Sequence, residues 1–541
     1  MTPAERRAEA IALARAGQFA PAAQQLEQLL SETPQDAGAW AMLGQLRMEL
    51  GAFLSAIEAL DQAVARNPGR AADHVNRAVA LGRIDRHEEA LADYDRALAI
   101  DPRLATAHAN RAQALNELGR PKEAALAAQE ALKLRPGDPG ALSHLGTAAF
   151  AEKRYDAALE AFAQGLQARP GDHDCLCNLG MTLTAMGRHR DAIAHLDAAV
   201  AAHPSSALAR YRRAHPRLTL GDFAGGWADY ERRWATSLFT KRSRGHVPAA
   251  LVARLTLMPT PADLAGRRVL VIGEQGVGDE ILFASILPDL AALAAEVTLV
   301  CEPRLARLFA GSFPTVRCLD PEAARALRSG GFDRIVAIGS LAHAFRQRAE
   351  DFPGRAFLSP PAERVEAWRS RLAGGDPGAA PVRIGISWRG GLDRTKGAER
   401  SMPLEMLAAA LSGPGRELVS LQYGEAAAEA RGLAGHGAPV RMFDPAEIDD
   451  FADLAGLVAA LDVVVSVQTA VVHLAGAIGQ RALVMIPQRP EWRYGAVGET
   501  MPWYGSVRLF RQGPDGGWGL VLAQVAAAVQ ALERQGSARE D

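Results

Sequence analysis

The chain contains 541 residues, of which 48% are hydrophobic and 23% are charged, and its formal net charge is -2. This length predicts about three domain-sized units, and the nearly balanced charge argues against a nucleic-acid partner. Four cysteines without CxxC spacing indicate neither a disulfide framework nor a thiolate metal site. The sequence has no apolar signal-peptide core and no run of about 18 apolar residues, so we expect a cytoplasmic protein that does not span a membrane.

Residues 1–235 repeat with a fixed step of 34 residues. Proline recurs at this step, at Pro34, Pro68, Pro102, Pro136, Pro170 and Pro204. A small residue recurs at Gly44, Ala78, Ala112, Gly146, Gly180 and Ala214, and a turn column runs through Gly17, Gly51, Asp85, Gly119, Lys153, Gly187 and Gly221. Proline ends the second helix of each unit, the small residues permit close helix packing, and glycine marks the turn.

This pattern resembles the tetratricopeptide repeat. The resemblance implies an α superhelix of about six to seven units over residues 1–235, whose surface binds a segment of another protein. A dimerisation element or a spacer is the alternative interpretation of the same array.

Beyond a connector at 236–265, the hydrophobic pattern changes to short apolar runs rich in β-branched residues. These runs, separated by helical stretches such as 279–294, predict parallel strands. We predict strands at 267–273, 296–301, 333–339, 382–388, 416–423, 461–467 and 481–487. A Gly/Pro-rich linker at 373–381 divides them into two wound α/β units, 266–372 and 382–541. Ligands bind such sheets outside the carboxyl ends of the strands, so the loops there are candidate sites.

The loop after the first predicted strand reads GEQGVGDE. Gly273, Gly276 and Gly278 indicate a tight turn from strand to helix, with Asp279 in the first turn of that helix. The glycines match a dinucleotide-binding fingerprint only loosely, and no lysine follows them as it does in a P-loop. Asp279 is a candidate functional residue of this strand-end loop, or simply a carboxylate that the helix dipole favours.

The loop after the predicted strand 382–388 reads RGGLDRTKGAERSMP and suits phosphate. It combines glycines with four cations, Arg389, Arg394, Lys396 and Arg400. Surface solvation is the alternative explanation for any one of these side chains.

The segment SVQTAVVHLAGAIG follows the predicted strand 461–467. Thr469 stands at the start of a predicted helix at 469–478, where backbone N–H groups and the helix dipole can hold a phosphate. His473 follows four residues later and therefore lies on the same helical face. A packed core histidine is the alternative interpretation of His473.

Together these segments resemble the C-terminal domain of bacterial tetratricopeptide proteins related to the heptosyltransferase-type GT-B glycosyltransferases. The similarity rests on the segments GEQGVGDEILFASILP, GISWRGG, RSMPL, SLQ and DVVVSVQTAVVHLAGAIG, and on GDFAGGWADYERRW at the end of the repeats. It implies a GT-B-like pair of Rossmann-type α/β domains, with the acceptor side at 266–372 and the donor side at 382–541.

The resemblance also implies roles for individual residues. Asp279 takes the position of the proposed catalytic base, and Arg400 takes that of a residue that contacts the donor phosphate. Gln468 stands where the family usually has aspartate, which argues against an ADP-heptose donor. The residues assigned to donor binding are Arg389, Arg394, Lys396, Arg400, Ser401, Gln422, Gln468, Thr469, His473 and Arg493. The residues assigned to the acceptor side or the cleft are Gln275, Gly276, Gly278, Glu491 and Trp492.

The loop PQRPEWRYGAVGETMPWYGSVRLFRQ, residues 487–512, suits a sugar by aromatic stacking and a carboxylate or phosphate by a bidentate Arg493. Together with VQTAVVH, this loop is similar to the flagellin glycosyltransferases that use CMP-activated nonulosonic acids. The resemblance implies an inverting, metal-independent protein O-glycosyltransferase that binds flagellin through its repeats. The resemblance also implies a nucleotide sugar as co-substrate and no further cofactor. A glycan or lipopolysaccharide transferase and a non-catalytic scaffold are the alternatives.

Overall fold

The structure is a computed structural model that describes residues 1–236, 251, 253–327, 329–373, 381–391, 397–422, 429–430 and 439–537. Contacts divide the chain into two compact units, Met1–Ser205 and Ser206–Asp541. The residues that we assign to the repeat array by sequence therefore fall in both units. In the part of the chain that is described, no helix is long and apolar enough to cross a membrane.

The first unit is built from helices that pack against their neighbours in the chain. They are α1 (Pro3–Arg15), α2 (Phe19–Glu32), α3 (Ala37–Glu49), α4 (Phe53–Arg66), α5 (Ala71–Arg83), α6 (His87–Ile100), α7 (Ala105–Glu117), α8 (Pro121–Leu134), α9 (Pro139–Ala151), α10 (Tyr155–Ala168), α11 (His173–Ala185) and α12 (His189–Ala202). The predicted helical repeat is confirmed.

The repeat columns have the physical roles that their residue types predict. A Cβ atom on Gly44 would lie 2.5 Å from Leu60, and one on Gly180 would lie 2.5 Å from Leu196, so the small-residue column permits close packing of paired helices. The turn column adopts the left-handed conformation even where glycine is absent, with φ of 62° at Asp85 and 60° at Lys153. Departing from glycine therefore leaves the turn geometry unchanged at these two positions.

The second unit begins with the last helical pair, α13 (Ala207–Thr219) and α14 (Phe223–Tyr230), followed by a 3-10 turn at Glu231–Ala235. Trp227 of α14 is buried and donates from Nε1 to the Arg346 carbonyl at 2.8 Å. Its ring packs edge-on against Phe283 and Trp503. These contacts make the last helical pair part of the α/β core.

Two sheets form the α/β region. The first has the order β3-β2-β1-β4 with all strands parallel, and its strands are β1 (Arg268–Ile272), β2 (Glu296–Val300), β3 (Val316–Leu319) and β4 (Arg334–Ala337). The second has the order β10-β11-β9-β8-β5-β6-β7, and its strands are β5 (Val382–Ser387), β6 (Arg416–Ser420), β7 (Val440–Arg441), β8 (Val463–Ser466), β9 (Ala482–Ile486), β10 (Thr500–Met501) and β11 (Tyr504–Arg511). Only β10 pairs antiparallel to its neighbour among these described strands.

All seven predicted strands are present, and the parallel sheets are confirmed. The predicted loop 487–512 is wrong in part, because β10 and β11 lie within it and β11 pairs with β9. Helices cover the sheets, and they are α15 (Pro261–Leu264), α16 (Val277–Ala284), α17 (Leu287–Leu293), α18 (Pro303–Ser312), α19 (Leu341–Phe345), α20 (Ala362–Leu372), α21 (Leu404–Leu411), α22 (Phe451–Ala459), α23 (Ala470–Ala477) and α24 (Gly519–Ser537). The predicted helical stretch 279–294 is in fact two helices. Pro288 in the first turn of α17 explains the break, since proline cannot donate a backbone hydrogen bond within a continuous helix.

The strand order reverses at two places that matter for ligand binding. β1 lies between β2 and β4, and β5 lies between β6 and β8. Chain connections leave such strands in opposite directions, which opens a crevice at their carboxyl ends. The loops after β1, β5 and β8 are therefore the places where both sheets can hold a ligand.

Candidate active site

A cavity of about 620 Å³ lies at these strand ends. Ten of the residues predicted from sequence line it: Gly278, Asp279, Arg389, Arg400, Gln422, Gln468, Thr469, His473, Glu491 and Arg493. Gln275, Gly276, Ser401 and Trp492 are not among its lining residues. Arg394 and Lys396 lie outside the described residues. The tertiary fold thus brings the loops of both sheets to one cavity, although more than a hundred residues separate them in the chain.

Asp279 enters this cavity from the first turn of α16, and its carboxylate is engaged. Nη2 of Arg493, from the 3-10 turn Trp492–Tyr494, donates to Asp279 Oδ1, so the two halves of the α/β region are joined by an ion pair. Nη1 of Arg493 lies 3.7 Å from Glu491 Oε2, and its guanidinium lies 4.7 Å from the centre of the Trp492 ring. Burial acts to lower the pKa of Arg493, but the charges of Asp279 and Glu491 outweigh it and raise that pKa.

The loop between β1 and Asp279 is stabilised by a buried ionic network. Arg233, which has no exposed surface, donates to both oxygens of Glu274 at 2.6 and 3.1 Å and to Glu231 at 2.6 Å. Glu274 also accepts from the Gly339 backbone N–H at 3.0 Å, and Glu231 accepts from the Met258 N–H at 2.9 Å. Desolvation raises the pKa of Glu274 despite its arginine partner.

Gln275 continues this attachment of the loop. Its φ is +71°, a left-handed backbone conformation that residues other than glycine rarely adopt. Its side-chain amide donates to the Tyr230 hydroxyl. Tyr230 is buried, and desolvation raises its pKa. The segment of Tyr230 and Arg233 therefore fixes the loop in which Asp279 sits. Sequence reasoning recognised GDFAGGWADYERRW as a family segment but assigned it no role, because no periodic pattern marks a buried arginine.

The loop after β5 is organised by side chains that bind backbone groups. Gln422 accepts at Oε1 from the Ser387 hydroxyl at 3.0 Å and from the Arg389 N–H at 3.1 Å. Arg389 itself donates to Glu429 at 2.9 Å. Ser401 accepts from the Gly390 N–H at 3.0 Å, which ties the two ends of the loop together. Gln422 and Ser401 thus shape this side of the cavity.

Arg400 links this loop to the end of β8. It belongs to the 3-10 turn Gly397–Arg400, and its Nη1 lies 3.5 Å from the Gln468 carbonyl oxygen. Thr469 is the N-cap residue of α23, and its hydroxyl pairs with the Ser466 hydroxyl at 3.1 Å. The predicted helix start at Thr469 is confirmed. An arginine and a helix N-terminus that face one cavity together favour an anionic ligand.

Gln468 is the most unusual polar group of the cavity. Its side chain is 1% exposed, and neither its Oε1 nor its Nε2 atom has a hydrogen-bond partner among the described residues. A buried amide that is left unpaired destabilises the folded state by about 1–3 kcal/mol per group. Such a group is retained at a site where a ligand or water pairs with it.

Gln468→Met is expected to raise the free energy of unfolding by about 1–3 kcal/mol, because it removes the unpaired amide at similar volume. Urea denaturation followed by tryptophan fluorescence measures this change. Gln422→Met is the matched control and should lower stability, since the Gln422 amide oxygen has two donors. A loss of stability in Gln468→Met would mean that the amide is paired in solution.

His473 lies one turn into α23 and is 6% exposed. Its Nδ1 atom is 3.2 Å from the Tyr504 hydroxyl. Burial, aided by the positive charge of Arg493, lowers the pKa of His473 to about 3, so the imidazole is neutral at neutral pH. A neutral His473 can exchange a hydrogen bond in the cavity but does not supply positive charge for a phosphate.

The depressed pKa of His473 predicts a stability that depends on pH. Below about pH 6.5 the unfolded chain binds a proton at this residue while the folded protein does not, until the pH approaches about 3. The free energy of unfolding therefore loses nothing from His473 well above pH 6.5. It decreases by about 2 kcal/mol on going from pH 7 to pH 5. His473→Gln should lack this part of the acid-dependent loss, as measured by urea denaturation at both pH values. His215, whose pKa burial lowers to about 4, contributes equally to both proteins. An identical loss in both proteins would contradict the prediction.

Two glycines allow α23 to approach its neighbours. A Cβ atom on Gly278 of α16 would lie 3.0 Å from His473 Cδ2, so the helix of Asp279 and the helix of His473 touch here. A Cβ atom on Gly476 would lie 2.6 Å from Tyr504 Cδ2. Gly278 therefore allows α16, which carries Asp279, to lie against α23.

Gly476→Ala is expected to destabilise the second unit by about 1–3 kcal/mol, because the added methyl group overlaps the buried Tyr504 ring. Gly311→Ala in α18 is the matched control, since its Cβ would meet no atom within 4 Å. There the higher helix propensity of alanine should stabilise the protein by up to about 1 kcal/mol. Thermal unfolding of both variants should show a lower melting temperature for Gly476→Ala and an unchanged or higher one for Gly311→Ala. A change in the same direction for both would contradict the close packing of Gly476 against Tyr504.

Trp492, which we assign from sequence to the acceptor side or the cleft, packs in the core next to the cavity and does not line it. It is 8% exposed and packs 5.5 Å from the Trp227 ring, beneath Arg493. The neighbouring Tyr494 lines the cavity instead. Trp492 therefore supports the guanidinium of Arg493 from the core side.

Comparison with known proteins identifies the N-terminal region. Profiles described as tetratricopeptide repeat match residues 7–71, 109–173 and 149–218, and a profile described as TPR repeat matches residues 84–119. The N-terminal region is therefore an array of tetratricopeptide repeats.

Protein FlbA of Caulobacter vibrioides (strain ATCC 19089 / CIP 103742 / CB 15) is 33% identical over 362 residues, which are 63% of this chain and 58% of FlbA. The chain thus spans somewhat over half the length of this curated relative. Among solved structures, a thermophilic TPR protein of Thermus thermophilus is 25% identical, covers 34% of this chain and 99% of its own, and has a TM-score of 0.29. A tetratricopeptide repeat protein from Parabacteroides merdae ATCC 43184 is 15% identical, covers 46% and 96%, and has a TM-score of 0.40.

Proposed function

We propose that the second unit is a glycosyltransferase of the GT-B type, which transfers a sugar from a nucleotide donor to a hydroxyl acceptor. The observation that carries the proposal is the composition of one cavity at the carboxyl ends of two parallel sheets. A carboxylate, Asp279, comes from the first sheet, and Arg400 and the start of α23 come from the second. A proton acceptor opposite groups that hold an anion is the arrangement that displacement of a phosphate requires.

In the proposed reaction, Asp279 accepts the proton of the acceptor hydroxyl while that oxygen forms a bond to the anomeric carbon. The bond from the anomeric carbon to the phosphate oxygen breaks, and its electron pair leaves with the nucleotide. Arg400 and the α23 N-terminus stabilise the charge that develops on the departing phosphate. From sequence, Arg389 and Lys396 are assigned to the departing phosphate as well, and Arg394 is assigned to donor binding. A single displacement inverts the anomeric configuration, and no step is assigned to a metal.

We assign the donor to the CMP-activated nonulosonic acids. The similarity of VQTAVVH and PEWRYG to flagellin glycosyltransferases supports this assignment. The position of Arg493 in the cavity supports it too, since a guanidinium can bind the sugar carboxylate. A neutral Gln468 agrees with a donor that carries its own negative charge.

We assign the acceptor to a protein, and by the same similarity to flagellin in the cytoplasm. Tetratricopeptide arrays bind protein segments, and the repeats of the first unit would capture the acceptor. Deleting residues 1–204 should then abolish acceptor capture while nucleotide binding persists. Retained capture would contradict the role of the array.

Intact-mass measurement of flagellin tests the function as a whole. Flagellin purified from a strain without this chain is incubated with the purified protein and a CMP-activated nonulosonic acid. The expected result is a mass increase by one or more nonulosonate residues and release of CMP. Flagellin of unchanged mass from strains with and without the chain would overturn the protein acceptor, and sugar found on a glycan would favour a glycan transferase.

A further inference from the structure

Arg493 has a carboxylate on each side of its guanidinium. Asp279 accepts from Nη2, whereas Glu491 lies 3.7 Å from Nη1. Trp492 lies under the guanidinium plane at 4.7 Å. The side chains of Arg493 and Asp279 are 13% and 17% exposed, and both line the cavity.

The three side chains that contact Arg493 come from different parts of the chain. Trp492 and Glu491 are chain neighbours of Arg493, in the same 3-10 turn and directly before it. Asp279 comes from α16 in the other half of the α/β region, so its contact can break without moving the guanidinium. An oxygen of a ligand in the cavity can take the place of Asp279 at Nη2, since both side chains line the cavity.

We propose that the Asp279–Arg493 pair is the resting state of the site and that an oxyanion of the incoming ligand displaces Asp279 from Arg493. The inference rests on the proposed function, because it gives the pair a purpose in transfer. Binding of the anionic donor then releases the Asp279 carboxylate at the moment when an acceptor hydroxyl needs a proton acceptor. Without the donor, Asp279 stays paired.

The competition makes an unusual prediction for binding. A ligand that must displace an internal carboxylate binds more weakly by the fraction of molecules in which the arginine is free. Asp279→Asn removes the competing charge at nearly the same volume. It should therefore tighten binding of the displacing anion by about fivefold to tenfold, as for an arginine that is free in roughly 10–20% of molecules.

Calorimetric titration of the full chain tests this prediction with three probes: CMP, N-acetylneuraminic acid and CMP-N-acetylneuraminic acid. Tighter binding of CMP to Asp279→Asn identifies a phosphate oxygen as the displacing group. Tighter binding only of the two carboxylate-bearing probes identifies the sugar carboxylate. The double variant Asp279→Asn, Arg493→Met should lose the gain, and exposed Asp515→Asn controls for net charge.

Equal or weaker binding of all three probes to Asp279→Asn overturns the inference, as does a gain that persists without Arg493. The transfer assay is read separately. Transfer by the unaltered protein without tighter binding in the variant would remove the displacement and leave the glycosyltransferase in place. Tighter binding of a probe to Asp279→Asn without any transfer by the unaltered protein would support the displacement and remove the glycosyltransferase.

Discussion

Asp279→Asn is expected to lower the rate of sugar transfer by about 10²–10⁴-fold, the usual contribution of a general base. Asparagine keeps the size of the side chain and can still contact Arg493, but it cannot accept the hydroxyl proton. Because the same change is expected to tighten donor binding, the loss should appear in kcat and not in KM. Initial rates of CMP release with saturating acceptor measure both constants.

Asp515→Asn is the matched control, since Asp515 is an exposed aspartate in the loop before α24 and is not among the residues that line the cavity. It should retain the transfer rate of the unaltered protein. Thermal unfolding of both variants shows whether the fold is intact. A well-folded Asp279→Asn protein with full activity would exclude Asp279 as the base and direct attention to another group of the cavity.

Arg233→Met is expected to lower the free energy of unfolding of the second unit by about 3–5 kcal/mol. The substitution leaves two buried carboxylates, Glu231 and Glu274, without the guanidinium that compensates them. Uncompensated buried charge is among the most destabilising changes in a protein, whereas the loss of an exposed pair has little effect. Urea denaturation followed by tryptophan fluorescence reports on this unit, since Trp227, Trp492 and Trp503 pack together in it.

Arg268→Met supplies the exposed counterpart, since Arg268 pairs with Asp333 at the surface of the first sheet. It should leave stability nearly unchanged. Adding Glu231→Leu and Glu274→Leu to Arg233→Met should recover part of the loss, because a buried charge network can be replaced by apolar groups. The recovery is partial, since the backbone N–H groups of Met258 and Gly339 then lose their acceptors. Equal effects of Arg233→Met and Arg268→Met would contradict the network.

Local sequence patterns predicted most of the architecture. The step of 34 residues predicted the helical repeat, and β-branched apolar runs predicted seven strands that are present. The short strands β3, β7 and β10 were missed, because two to four residues carry too little periodicity. The longer strand β11 was missed because Tyr504–Arg511 lies in the segment 487–512, whose aromatic residues and arginines indicated a ligand-binding loop. The break between α16 and α17 was also missed, although Pro288 could have indicated it.

The candidate site was predicted as separate loops. Thr469 at a helix start follows from a residue type that favours that position. The turn before Asp279 was predicted from its glycines, but its left-handed residue is Gln275, and Gly273 and Gly278 instead permit the close approach of Glu280 and His473. The same reasoning assigned Trp492 to the acceptor side or the cleft, whereas its ring packs on Trp227 and is not among the residues that line the cavity. Aromatic residues serve cores and ligand sites equally well, so composition alone does not distinguish these two roles.

The sequence by itself determined most of the helices, strands and strand-end loops, because those preferences depend on neighbours within a few positions along the chain. Only the tertiary structure decided which charges meet. Asp279 pairs with Arg493 across 214 residues, and Arg233 pairs with Glu274 across 41. Electrostatic interactions depend on distance in space and on burial, and neither is recorded in the local pattern. For this reason the sequence indicated a carboxylate and several cations, and the fold joined Asp279 and Arg493 in one cavity.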